Sequence, residues 1–252
     1  MKLMALETST DQLSVALRCG SHPEVLQHSG PGGAQASASL IPAMQRLMAE
    51  AGLGWSQLDA IVFGRGPGSF TGLRTACSVA QGLALGASLP VLPVDTLLAV
   101  AEDARWQFES RLPHATRMPT LDIVALLDAR MDELYCAHYQ LLDQDAGKDV
   151  VWRQVGEHAL LRPEQLHCPA GALMAGNVFG AYGHRLPAHA PSASLTRLDA
   201  LPTAAALLRL APALMAQGAA VPPELALPLY VRDKVAQTTQ ERAELKAAQV
   251  RT

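Results

Sequence analysis

The run Gly64-Arg65-Gly66-Pro67-Gly68-Ser69-Phe70-Thr71-Gly72-Leu73-Arg74 places glycines, hydroxyls and two arginines between an apolar strand, Ile61-Val62-Phe63, and a helical pattern through Leu73, Ala76, Cys77, Ala80, Leu83, Ala84 and Ala87. A glycine-rich loop over a helix N-terminus suits phosphate or carboxylate, because free N–H groups and the positive dipole end face the anion and glycine lets the backbone approach. The motif is not a Walker A, which ends in Gly-Lys-Ser/Thr, nor a dinucleotide fingerprint, which needs glycine where Ser69 stands. Arg65, Gly66, Gly68, Ser69 and Arg74 are the candidate anion contacts here. The same residues also make a tight strand-to-helix turn, with Arg65 paired to a carboxylate and Arg74 solvated. A second candidate is Glu7 with Thr8, Ser9 and Thr10 at the end of the first strand. Their hydroxyls can position a phosphate, but Thr-Ser-Thr-Asp is equally good hairpin chemistry. General acid–base work by Glu7 would require a second group within reach, and Asp128 is the one on offer.

Asp128, Arg130 and Glu133 put three charges in one short turn, which reads first as an internal ion pair and second as a partner-contacting hairpin. Asn177 after Gly176 reads as a helix cap. No metal site is expected. The helix after Gly33 carries no His-x-x-x-His pair, His22 and His28 precede it, and His184 and His189 lie in a proline-rich stretch.

These residues need elements to hold them. Leu3 to Leu6, the turn at Glu7–Asp11, and Leu13, Val15 and Leu17 form a hairpin. A strand near Glu24 to Gln27 leads to a helix with Leu40, Ile41, Met44, Leu47, Met48 and Ala51 on its apolar face. After the glycine-rich unit come a strand at Val91 to Val94 and a helix from Asp95 to about Phe108. Pro113 to Pro119 reads as a linker. Beyond it, Leu126-Leu127-Asp128, turn, Leu134-Tyr135-Cys136-Ala137 lies without a gap on Ala5-Leu6-Glu7, turn, Leu13-Ser14-Val15-Ala16. Leu173 to Val178 echoes the strand-to-glycine step at Phe63-Gly64, and Thr203 caps a last helix through Leu207, Leu208, Leu210 and Leu214. The chain is thus a duplicated α/β protein: residues 1–112, residues 113–236, and a charged stretch 237–252, without an apolar face, read as a mobile tail.

Composition narrows the classes. With 252 residues, 49% of them hydrophobic, the chain can bury two modest cores. A net charge of -3 argues against an independent nucleic-acid binder. Cys19, Cys77, Cys136 and Cys168 are scattered and suit reduced thiols in a cytoplasm. The uncharged stretch Thr75 to Val94 is broken by Gln81, Gly82, Gly86 and Pro90, so no membrane span is expected. Its helix is apolar nearly all round and needs covering on more than one side.

The hairpin with its acidic end and hydroxyls resembles the first phosphate loop of the actin, sugar-kinase and heat-shock ATPase superfamily (ribonuclease H-like), two related domains around a nucleotide. Glu7 stands where that superfamily carries aspartate. More narrowly, ALETSTDQLSVAL at 5–17, GRGPGSFTGLR with AQGLALGASLPV across 64–91, LDARMDELY at 127–135 and LPLYVRDKVA at 227–236 resemble the bacterial TsaB (YeaZ) family. The resemblance implies a degenerate, non-catalytic partner of the threonylcarbamoyl transferase TsaD, acting with the ATPase TsaE on the adenosine 3′ of the tRNA anticodon. It further implies no cofactor of its own, ATP or ADP at the junction with TsaD, tRNA reached through the complex, and a homodimer when TsaD is absent. The expected partner face is Leu40, Met44, Leu47 and Met48 on one helix with Leu73, Cys77, Ala80 and Leu83 on the next. The alternative is an enzyme of the same superfamily, a small-molecule kinase or a glycopeptidase-like metallopeptidase. Against it stand the missing histidine pair and the missing aspartate.

Overall fold

The computed structural model describes residues 1–20, 25–111, 121–142, 150–187 and 197–232; His22, His189, the linker at 113–119 and the stretch 237–252 lie outside them. The N-terminal hairpin is β1 (Lys2–Glu7) and β2 (Gln12–Cys19), antiparallel, with β3 (Val25–Pro31) on its far side. After α1 (Ala36–Glu50), β4 (Ala60–Gly66) joins β1 in parallel, and after α2 (Phe70–Ala87), β5 (Val91–Asp95) joins β4. The second half repeats the plan with β6 (Leu121–Asp128), β7 (Leu134–Leu141), β8 (Trp152–Leu161), β9 (Leu173–Gly176) and β10 (Arg197–Asp199). The strand orders β3-β2-β1-β4-β5 and β8-β7-β6-β9-β10 correspond one for one. β1 and β6 sit at the centre of their sheets, which is why both read as unbroken apolar runs.

The helices are not shared equally. Met4, Leu6, Leu13, Val15 and Leu17 face α1 and α2, while Leu3, Ala5, Ala16 and Val62 on the other face of the same sheet meet α5 (Ala204–Ala216) from the far end of the chain. The helix at the end of the first half, α3 (Thr96–Ser110), packs instead on the second sheet, against Ile123, Ala125, Ala137 and Tyr139. Alanines on α5 at 204, 206 and 211 let it lie close to the sheet. The layers therefore run α1/α2, first sheet, α5/α3, second sheet. The last face of the second sheet carries the four-residue α4 (Phe179–Tyr182) and loops.

A buried charge network ties the middle layer. Glu102 of α3 is fully buried and accepts from Arg105 at 2.7 and 2.8 Å, from Arg209 of α5 at 2.8 Å and from the Trp152 indole of β8 at 3.2 Å. With four donors its charge is compensated where an unpaired carboxylate would be expelled. Thr203 caps α5 as its position predicts, accepting from Ala206 N. Asn177 does not cap α4: its Oδ1 accepts from Asp128 N at 2.9 Å, because the helix starts one residue too late for it. Among the described residues no helix is long and apolar enough to cross a membrane.

Candidate functional site

The two hairpin turns, β1–β2 and β6–β7, meet across a cleft of about 380 Å³ between the halves, lined by Ser9, Thr10, Gly68, Ser69, Asp128, Arg130 and a C-terminal segment, Leu229–Arg232. The first turn is seated on the glycine-rich loop. Thr8 Oγ donates to Gly72 O at 2.7 Å and Ser69 N donates to Ser9 O at 2.8 Å. The seat demands glycine: a Cβ on Gly64 would lie 1.6 Å from Glu7 Oε2, and one on Gly72 would lie 1.9 Å from Thr8 O.

Glu7 lies behind this seat, 1% exposed, and does not line the cleft. Its Oε1 accepts from Ser9 N at 2.5 Å; Oε2 and Ser9 Oγ are buried without a partner. Burial pushes the carboxyl up to about 7, opposed only in part by its polar neighbours Ser9 and Thr8. A neutral carboxyl is the form such a place accepts.

The candidate anion contacts are brought to one region but not to one surface. Ser9, Thr10, Gly68 and Ser69 face the cleft, whereas Glu7 and Thr8 are beneath it. Arg65 turns away to Asp95, 2.5 Å from Nε, and the Gly66 amide donates to Thr96 Oγ at 3.0 Å. Arg74 is not simply solvated: its guanidinium lies 3.9 Å over the Phe70 ring and donates to Tyr230 OH at 3.1 Å. The second turn keeps its expected internal ion pair, Arg130 with Asp128, but only at long range and beside stronger contacts outside the turn. Arg130 crosses the cleft to Asp11, with Asp128 farther off at 3.7 Å, and Glu133 is taken by Arg232 at 2.6 Å. Its register explains why. Glu7 pairs Ser14 but Asp128 pairs Leu134, so this turn is one residue shorter. Arg130, Met131 and Asp132 absorb the difference with φ of 61°, 55° and 67°, a left-handed run costing roughly 1–3 kcal/mol per residue.

A nucleotide is the ligand the superfamily fold implies, and the cleft residues do not fit its phosphates. Arg130 and Arg232 are engaged by carboxylates, Asp11 and Asp128 add negative charge, and among the described residues no lysine lines the cleft. Among the described residues no group of three or more His, Cys, Asp or Glu side chains could hold a metal ion.

The expected partner residues need a correction. Leu40, Met44, Leu47, Met48, Leu73, Cys77 and Ala80 are buried in the first half's own core, and Leu83 is half-buried. Apolar periodicity marks the face a helix turns to its own sheet. The outward face of α1 carries Ser37, Ala38, Ile41 and Gln45 instead, and that of α2 carries Ser78, Gly82, Leu85 and Gly86. Ile41 is 39% and Leu85 72% exposed, and a Cβ on Gly82 or Gly86 would touch nothing within 4 Å. Part of α2 is covered by the chain itself: Gln81 donates to Pro223 O and Ala226 O at 3.1 and 2.9 Å. Sequence patterning identified the buried stripe; the exposed leucine and the two unneeded glycines were the signal for the outer face.

A family model described as TsaD, tRNA N6-adenosine threonylcarbamoyltransferase, matches residues 20–173. The tRNA threonylcarbamoyladenosine biosynthesis proteins TsaB of Haemophilus influenzae and Escherichia coli K12 are each 34% identical to this chain, over 93% and 94% of it and 95% and 96% of their own lengths. The structure of YeaZ from Pseudomonas aeruginosa superposes with a TM-score of 0.75 at 37% identity, covering 91% of this chain and 99% of that one.

Proposed function

Since the chain belongs to the TsaB (YeaZ) family, with its two actin-like α/β halves, we propose that it serves tRNA threonylcarbamoyladenosine biosynthesis as a subunit that binds and activates TsaD, together with TsaE, and supplies no catalytic group itself. The observation that carries the partner role is the outer face of α1 and α2. Glycine in a helix interior costs about 1 kcal/mol relative to alanine, and nothing among the described residues requires Gly82 or Gly86. A close-packed helix from another subunit does require them. TsaD is that subunit in this reading, a second copy of this chain takes its place when TsaD is absent, and nucleotide belongs at the junction with TsaD. The complex works in the cytoplasm, and tRNA is reached through it.

Reconstitution tests the reading. Threonylcarbamoylation by TsaD, TsaE, substrate and tRNA should be lost without this chain; undiminished activity would overturn the proposal. Gly82→Arg and Leu85→Glu should abolish co-elution with TsaD while circular dichroism and Tm stay near those of the parent, since both positions face outward.

A further inference from the structure

The cleft is crossed by the chain's own C-terminal segment, and each of its residues from Leu229 to Arg232 grips a different part of the molecule. Upstream, Val221 pairs with Val91 at the edge of the first sheet, and Ala226 O accepts from Cys77 Sγ at 3.3 Å on α2. Leu229 N then donates to Arg65 O in the glycine-rich loop at 2.7 Å. Tyr230 stacks on Phe70 at the start of α2, ring centroids 5.3 Å apart. Val231 packs against the apolar face of the second sheet. Arg232 ends on the strained turn, donating to Ala129 O at 3.0 Å and to Glu133 Oε2 at 2.6 Å, with Met131 Sδ at 2.9 Å. A segment that starts on one half and finishes on the other spans the line about which the halves would move apart.

We infer that Leu229–Arg232 is an intramolecular clasp, which holds the two halves at one separation and keeps the left-handed turn Arg130–Asp132 in place. Two observations support a clasp over simple surface packing. The turn's three left-handed residues persist only where surrounding contacts over-determine them, and Arg232 supplies contacts to the residues on both sides of that run. The α3/α5 layer joins the halves at the base of the cleft, but between the two turns the other link is the exposed Arg130–Asp11 pair, which is too weak to fix their separation. Opening the cleft therefore requires Arg232 to leave Ala129 and Glu133, and Leu229 to leave Arg65.

Hydrogen exchange on the full chain tests this. The Ala129 amide bonds to Glu133 O and the Glu133 amide to Arg130 O, so both report on the turn, while the Leu229 amide bonds to Arg65 O and reports on the segment's hold on the first half. In Arg232→Ala these three amides should exchange about tenfold faster or more, with β1 and β4 amides unchanged. Tyr230→Ala cuts the segment from α2 on the other half, and it should accelerate the same turn amides although Tyr230 touches none of them. Parent rates at Ala129 and Glu133 in both variants would overturn the clasp. So would equal acceleration throughout β1 and β4, because the segment would then be ordinary core.

Discussion

The two halves share a strand order and little else. The first sheet is covered on both faces by helices of 13 to 18 residues, α1, α2 and α5. The second has α3 on one face and short pieces on the other. Their acidic turn residues diverge in the same sense. Glu7 is sealed under the glycine-rich loop with an oxygen left over. Asp128 lies at the cleft instead, its Oδ1 accepting from Arg130 N and Tyr182 OH and its amide donating to Asn177 Oδ1. A duplicated topology thus preserves backbone pairing while burial decides what the equivalent side chains can do.

The largest test of that comparison is at the glycines where each half's parallel strand passes its acidic strand. A Cβ on Gly176 would meet Leu126 O at 1.8 Å and one on Gly64 would meet Glu7 Oε2 at 1.6 Å, so Gly176→Ala, against fixed backbone, should cost more than about 3 kcal/mol by urea unfolding and Gly64→Ala, against a side chain that can shift, less. Equal losses would show that the halves are equivalent there. Next is the layer joining them. Glu102→Gln leaves Arg105 and Arg209 facing a neutral partner, and should destabilise by about 3 kcal/mol; an unchanged midpoint would mean that the two sheets do not depend on this network.

Glu7 makes the third test, through pH. Its unfolded carboxyl titrates near 4.5 and its folded one near 7, so the folded chain holds a proton the unfolded chain has released between these values. Stability from this group is full below pH 4.5 and falls as pH rises through 7, by up to about 3 kcal/mol. Glu7→Gln should flatten that part of the profile. An identical fall in the variant would place the titration elsewhere. The smallest effect is expected at the bridge between the turns: Arg130→Ala should cost at most about 1 kcal/mol, since Arg130 and Asp11 are both largely exposed.

Legibility in the sequence followed burial. β1, β2, β4, β5, β6 and β9 could be read because buried strands are apolar. β8 could not: Trp-Arg-Gln-Val-Gly-Glu-His alternates poorly, since an edge strand with little cover needs no apolar face. The glycine-rich loop is legible from its composition, whereas Asp95 and Tyr230, the partners of its flanking arginines, lie far away in sequence. The segment 227–232 carried a family pattern without periodicity, so its place across the cleft was visible only in three dimensions. The same limit applied to α1 and α2, where periodicity pointed inward and the outer face had to be read from exposure.

The position of α5 also bears on how the chain is made. Leu3, Ala5, Val62 and Leu92 have their apolar cover in residues 204–211, which are made long after these strands. During synthesis the N-terminal half therefore presents an oily sheet face with no helix to put on it, and contacts spanning so much of the chain form slowly. Completion of the first half therefore waits on residues 204–211, and a chain stopped before residue 204 is expected to be a client for chaperones.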